Sequence, residues 1–192
     1  MKYLNNKKVS RQNSPLRFAI TFIVLFVVFY YFNILFFRAT NPGPHYNDFL
    51  TRHLNYIQAL RWALLFGTAQ LLKLFGFAAV FNNYELLVAG HGTIQVVYTC
   101  LGLGVLSFFV AFVFAYPKLR KEKIIALIIG IAVIEFLNIV RFMLLALFGN
   151  KQISKLIDHH TLFNIIIYLI ISAGLYFWIK RDIIINDKHE AN

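Results

Sequence analysis

Three residues in this sequence can share covalent chemistry: Cys100, Arg141 and His159. Cys100 is the only cysteine in 192 residues, so no intramolecular disulfide accounts for it. It lies in VVYTCLGLGVLSFFV, where a small glycine-rich patch leads into an apolar run. A thiolate is the reactive form of cysteine, and nearby positive charge lowers the pKa of its thiol. Histidine takes up and returns protons near neutral pH. Arginine stays protonated, so it is suited to stabilising a thiolate or the oxyanion of a tetrahedral intermediate. Each residue alone has a plainer reading. A lone cysteine packs as a small hydrophobe, an arginine in a span snorkels to headgroups, and a histidine at an interface is solvated.

The elements that position these residues are membrane elements. The chain is 59% hydrophobic and only 14% charged, with 21 Phe and a mean hydropathy of +0.66. Soluble domains run at roughly 45–50% apolar and about 25% charged. The net charge of +11 does not point to a nucleic-acid partner, because Lys and Arg cluster at the ends of apolar runs, as topology signals do. The expected fold is a single all-α integral membrane bundle in the lipid bilayer. It has about four to five transmembrane helices, a re-entrant or interfacial helix, and a short outer β-hairpin before Cys100.

Segment by segment, 1–17 is a basic tail and 18–37 a spanning helix, too long for a signal-peptide core. Residues 38–83 form an outer loop with an amphipathic helix over 59–81, which carries Arg61, Gln70 and Lys73. Residues 84–99 alternate on both sides of Gly90-His91-Gly92, the pattern of a hairpin. Spans follow at 100–116, 124–148 and 161–179, separated by the basic loop 117–123 and the loop 149–160, with a tail at 180–192. The positive-inside rule puts the N-terminal tail, PKLRKEK and the C-terminal tail in the cytoplasm. Residues 38–100 then begin and end outside, so 59–81 is not expected to cross in the ordinary way.

At about 1.5 Å of rise per residue, Cys100 lies about 24 Å, Arg141 about 26 Å and His159 about 30 Å above the cytoplasmic ends of their helices. The hydrocarbon core is about 30 Å thick, so all three fall near the outer interface on three different helices. Gly104 and Ser107 follow Cys100 at i+4 and i+7, a small-residue helix face. Gly102 leaves room for a substrate backbone. Asn138, one turn before Arg141, orients it or bonds across helices. Glu135 lies deeper, where it pairs with Lys73 or is held protonated. His91, in its glycine turn, is expected to be solvated. Adjacent histidines are poor co-ligands on one helix, so Asp158-His159-His160 is not taken as a metal site, and no cofactor is expected. The phenylalanines read as lipid-facing bulk.

At these residues the sequence resembles the exosortase/archaeosortase family of membrane cysteine transpeptidases, most of all the short exosortase F type. The resemblance rests on TCLGL at Cys100, NIVR at Asn138–Arg141 and HHTLFNIIIY from His159, in that order. It covers about half the chain, from the hairpin to the last helix. His159 precedes Phe163 by four positions and Tyr168 by nine, as in the family's late motif, and His160 is the reserve. Leu101 departs from the small or polar residue usual after the cysteine.

The resemblance implies Cys100 as nucleophile, Arg141 as stabiliser of thiolate or oxyanion, and His159 as general acid/base. Asn138 and Gly102 support them. It implies a bacterial inner (cytoplasmic) membrane protease/transpeptidase with its active site on the outer, periplasmic face. The substrate would be a membrane-anchored exported protein with a C-terminal sorting signal, cleaved through a thioester on Cys100. The acceptor would be a surface glycolipid or polysaccharide. Two other classes compete: a small transporter or channel subunit, with Glu135 and Arg141 as pathway charges, and a non-enzymatic membrane assembly protein.

Overall fold

A computed structural model describes residues 15–149 and 159–190, with side chains over 15–149 and 165–180. The element order is α1 (Pro15–Thr40), α2 (Asp48–His53), α3 (Tyr56–Leu74), β1 (Ala79–Phe81), β2 (Glu85–Val88), β3 (Gly92–Gln95), a 3-10 turn (Tyr98–Leu101), α4 (Leu103–Ala115), α5 (Arg120–Phe148) and α6 (His159–Glu190). The protein is an all-α membrane bundle with one small sheet. Among the described residues, α1, the stretch Tyr98–Ala115 and α5 are long and apolar enough to cross a membrane, and Ile165–Lys180 is a shorter apolar helical stretch.

α1 and α4 run antiparallel along an aromatic seam. Phe18, Phe22, Phe26 and Tyr30 recur every four residues, so they share one helix face. Phe18 meets Phe112 edge-on at 5.4 Å and Phe22 meets Phe108 at 5.3 Å. At the far end Phe37 meets Tyr98 at 4.3 Å. This corrects the expectation that the phenylalanines are lipid-facing bulk: the stripe packs against α4. Ile20, Ile23, Val24, Val27 and Val28 form the exposed side instead. Lipid supplies no hydrophobic force between helices, so close packing and interhelical hydrogen bonds hold them together. Asn33 supplies such bonds: its Nδ2 donates to Ser107 Oγ at 3.0 Å, and its Oδ1 accepts from Tyr56 Oη at 2.6 Å.

α5 buries Ile134, Asn138, Arg141, Phe142 and Ala146, a stripe at three- and four-residue spacing. Its opposite side, from Ile124 to Phe136, is largely exposed and aliphatic. The Phe109 ring of α4 seats against Gly130 so closely that a Cβ there would overlap it. At the basic end, Lys118 Nζ donates to Trp178 O at 2.6 Å and lies over the Trp178 ring. Arg17, the 116–120 turn and the later part of α6 therefore lie at one end of the bundle. Cys100, the sheet and the start of α3 lie at the other.

The expected helix over 59–81 differs from the observed one. α3 starts earlier, at Tyr56, where the Asn55 side chain caps Gln58 N–H at 3.0 Å. It ends at Leu74, before Gly76 with φ +85°. Residues 79–81 then form β1, so the outer sheet has three antiparallel strands rather than two, in the order β1-β2-β3. The added turn is made by Asn82, whose Oδ1 accepts from the N–H groups of Tyr84 and Glu85 at 2.8 and 2.7 Å. Ala79 pairs with Val88, and Leu86 pairs with Ile94. Leu86 and Val88 point inward into the core that α3 and α5 share. The sheet is thereby anchored and delivers the chain to Cys100.

Candidate active site

Cys100 does not lie on α4. It sits on the 3-10 turn Tyr98–Leu101, where its N–H donates to Val97 O at 3.0 Å. The helix proper starts only after Gly102, whose φ of +69° is left-handed. Glycine adopts that conformation without steric cost, and other L-residues rarely do. A second constraint acts at the same residue. A Cβ on Gly102 would come within 2.6 Å of Asn138 Nδ2. The Asn138 amide fills the space that any side chain at 102 would need, and is itself buried. The two supporting residues read from the sequence therefore form one contact, which fixes the Cys100 turn against α5.

The break in the chain overturns the shared helix face expected for Cys100, Gly104 and Ser107. Gly104 faces Tyr30, and Ser107 bonds Asn33 and its own Leu103 carbonyl. Both belong to the α1 seam. Cys100 instead packs among core residues, only 6% exposed, and lines a cavity of about 280 Å³ between β3 and the last turns of α5. Phe142 and Ala146 form part of its wall.

Arg141 is 2% exposed and faces a neighbouring cavity of about 140 Å³, walled also by Thr99, Gly102, Asn138 and Tyr168. Its guanidinium carbon lies 5.7 Å from the Phe142 ring centre. The two cavities adjoin across the Cys100 turn: Thr99 borders one and Cys100 the other, while Arg141 and Phe142 do the same on α5. Cys100 and Arg141 are thus on adjacent walls of one junction, without sharing a cavity. Asn138 Nδ2 also donates to Glu135 Oε2 at 3.3 Å. Glu135 therefore pairs with Asn138 and not with Lys73, which is exposed on α3.

His159 opens α6, about two and a half turns before Tyr168. The side chains of His159 and His160, and all of Asp158, lie outside the described residues. His91 was missed. It is half-buried rather than solvated, and it lines the cavity of Cys100. Its Nδ1 lies 3.1 Å from Leu147 O, and its ring meets Phe77 edge-on at 5.3 Å. A carbonyl only accepts, so this contact places the proton of the neutral ring on Nδ1 and makes Nε2 the basic nitrogen. The signal was present in the Gly-His-Gly tip, but a hairpin tip reads as solvent-facing until the partner helix is known.

The comparison with protein families turns on this arrangement. The family model for transmembrane exosortase (Exosortase_EpsH) matches residues 16–178. The chain belongs to the exosortase family. No curated protein and no solved structure gives a match. The match in this exosortase extends well beyond the three motifs, taking in α1, α2 and α3, and it ends at Trp178 beside the basic turn. Family membership points to a membrane transpeptidase and gives the thiol, guanidinium and amide at the Cys100 junction a chemical context.

Proposed function

We propose that this exosortase, of the F type, is a cysteine protease/transpeptidase of the bacterial inner membrane that cleaves C-terminal sorting signals of exported proteins. The observation that carries the proposal is Cys100 on a pinned 3-10 turn at a cavity wall, next to the helix that bears Arg141. The Cys100 thiolate attacks the scissile carbonyl, and its sulfur–carbon bond forms as the carbonyl oxygen gains negative charge. Arg141 stabilises that charge. His159 protonates the departing amine, the carbon–nitrogen bond breaks, and a thioester on Cys100 is left. A hydroxyl or amine of a surface glycolipid or polysaccharide then attacks the thioester, loses its proton to His159, and releases the thiolate.

Support for the orientation comes from charge. Arg17 and the basic 117–123 turn share the end of the bundle opposite Cys100, and the positive-inside rule assigns that end to the cytoplasm. The reaction then takes place on the outer face, where a translocated substrate presents its motif. The test is processing of a tagged substrate that carries a motif, an apolar helix and a basic tail. Wild type is expected to cleave it and to accumulate an adduct released by hydroxylamine, and Cys100→Ser to do neither. Cleavage by the serine variant at the wild-type rate would end the thiol mechanism.

A further inference from the structure

A third cavity, about 220 Å³, lies at the Cys100 end of the bundle but away from Cys100. It is bounded by the end of α1, by α2, by the start of α3 and by the β1–β2 turn. Arg61 of α3 forms part of its wall and is only 5% exposed. Among the described residues no carboxylate pairs with it. Its guanidinium has five N–H donors. Nη1 donates to Gln58 Oε1 at 2.7 Å, and Tyr84, whose ring centre lies 4.7 Å from the guanidinium carbon, also engages the group through a side-chain hydrogen bond. The Nε–H is buried and has no hydrogen-bond partner. Burial without an anion pulls the guanidinium below its ordinary pKa, and Tyr84 only partly offsets this.

A buried charge is costly unless it is paired. The rest of the wall is built for a polar guest. Asn55 uses its Oδ1 to cap α3, which leaves its Nδ2 as a donor, and the Asn83 side chain makes no hydrogen bond of its own. The start of α3 adds the positive end of a helix dipole. Thr40 and Asn41, at the end of the apolar α1, set the cavity at the level where a bilayer places its headgroups.

We propose that the Arg61 cavity is a phosphate-binding site, filled by the phosphodiester of a lipid headgroup or by free phosphate. Arginine's planar fork matches phosphate oxygens through paired N–H groups, and lysine's point charge does not. The site is independent of the peptidase reading, because neither Cys100 nor Arg141 borders it.

The test is equilibrium binding to the full-length, delipidated protein in nonionic detergent. The probes are dihexanoyl phosphatidylglycerol and inorganic phosphate. Saturable binding is expected for wild type. Arg61→Lys should weaken it about tenfold. Asn83→Asp, at an exposed position that leaves the fold intact, should weaken it at least as much by placing a carboxylate beside Arg61. Binding of the lipid alone assigns the site to a headgroup, and equal competition by inorganic phosphate assigns it to the free ion. Absence of saturable binding by both probes, or binding that both substitutions leave unchanged, overturns the proposal. Substrate processing is not read in this assay, so failure here leaves the role of Cys100 where it stood.

Discussion

Gly102→Ala is the most exacting test of how the site is held. Two separate penalties meet at this residue. An alanine at φ +69° carries the left-handed strain of an L-residue, about 1–2 kcal/mol. Its Cβ would also sit 2.6 Å from the buried Asn138 Nδ2, and overpacking of that kind costs about 1–3 kcal/mol. Gly76→Ala is the matched control. Gly76 has φ +85° and nothing within 4 Å of the position its Cβ would take, so only the strain applies. Denaturant unfolding in detergent should therefore show Gly102→Ala less stable than Gly76→Ala by about 1–3 kcal/mol.

The contact should also be visible as coupling. Asn138→Ala removes the amide, so Gly102→Ala on that background should cost little more than the strain, a favourable interaction of about 1–3 kcal/mol in a double-mutant cycle. Processing is more sensitive still. Moving the Cys100 turn by about 1 Å should slow substrate cleavage about 100-fold, whereas Gly76→Ala should leave it near wild type. If Gly102→Ala and Gly76→Ala are equally stable and equally active, or if the cycle is additive, the Asn138 amide does not lock the Cys100 turn.

Three further outcomes follow from the same packing. Arg141→Gln should lower processing by at least about 100-fold, as loss of an oxyanion donor does, and Arg141→Lys should recover part of that loss; initial rates on the tagged substrate decide it. His159→Ala should abolish processing while His91→Ala costs only severalfold, and the reverse ranking would transfer the proton-carrying role to His91, which shares the cavity of Cys100. Gly130→Ala should destabilise the α4–α5 contact by about 1–3 kcal/mol, and Phe109→Leu should restore most of it, because the clash is with the Phe109 ring; unfolding midpoints of the three variants check this.

The parts of this molecule that repeat were legible in the chain. Long apolar runs with basic ends announced α1 and α5, and alternation around Gly90-His91-Gly92 announced β2 and β3. What escaped was set by single residues. β1 is three residues long, and in FGFAAVFNN it continues an apolar helix until Gly76 stops α3 and Asn82 turns the chain back. Arg61 read as one charge on an amphipathic helix, and the cavity around it needs α1, α2 and the β1–β2 turn, which are distant in sequence.

The candidate site shows why composition and depth carry only so far. Helical rise brought Cys100 and Arg141 to one level, and in the structure they line two separate cavities, with Thr99 beside Arg141 in one and Phe142 beside Cys100 in the other. Rise cannot report that the helix breaks between Cys100 and Gly104. A continuous helix would have turned Cys100 onto the same face as Gly104 and Ser107, into the α1 seam. Instead the left-handed Gly102 swings the thiol toward β3 and the last turns of α5, into the cavity that His91 of the β2–β3 turn also lines. Cys100 is positioned by a helix interruption held by one amide. Substitutions at Gly102 and Asn138 should therefore affect cleavage more than substitutions at Gly104 and Ser107, which serve the packing of α1.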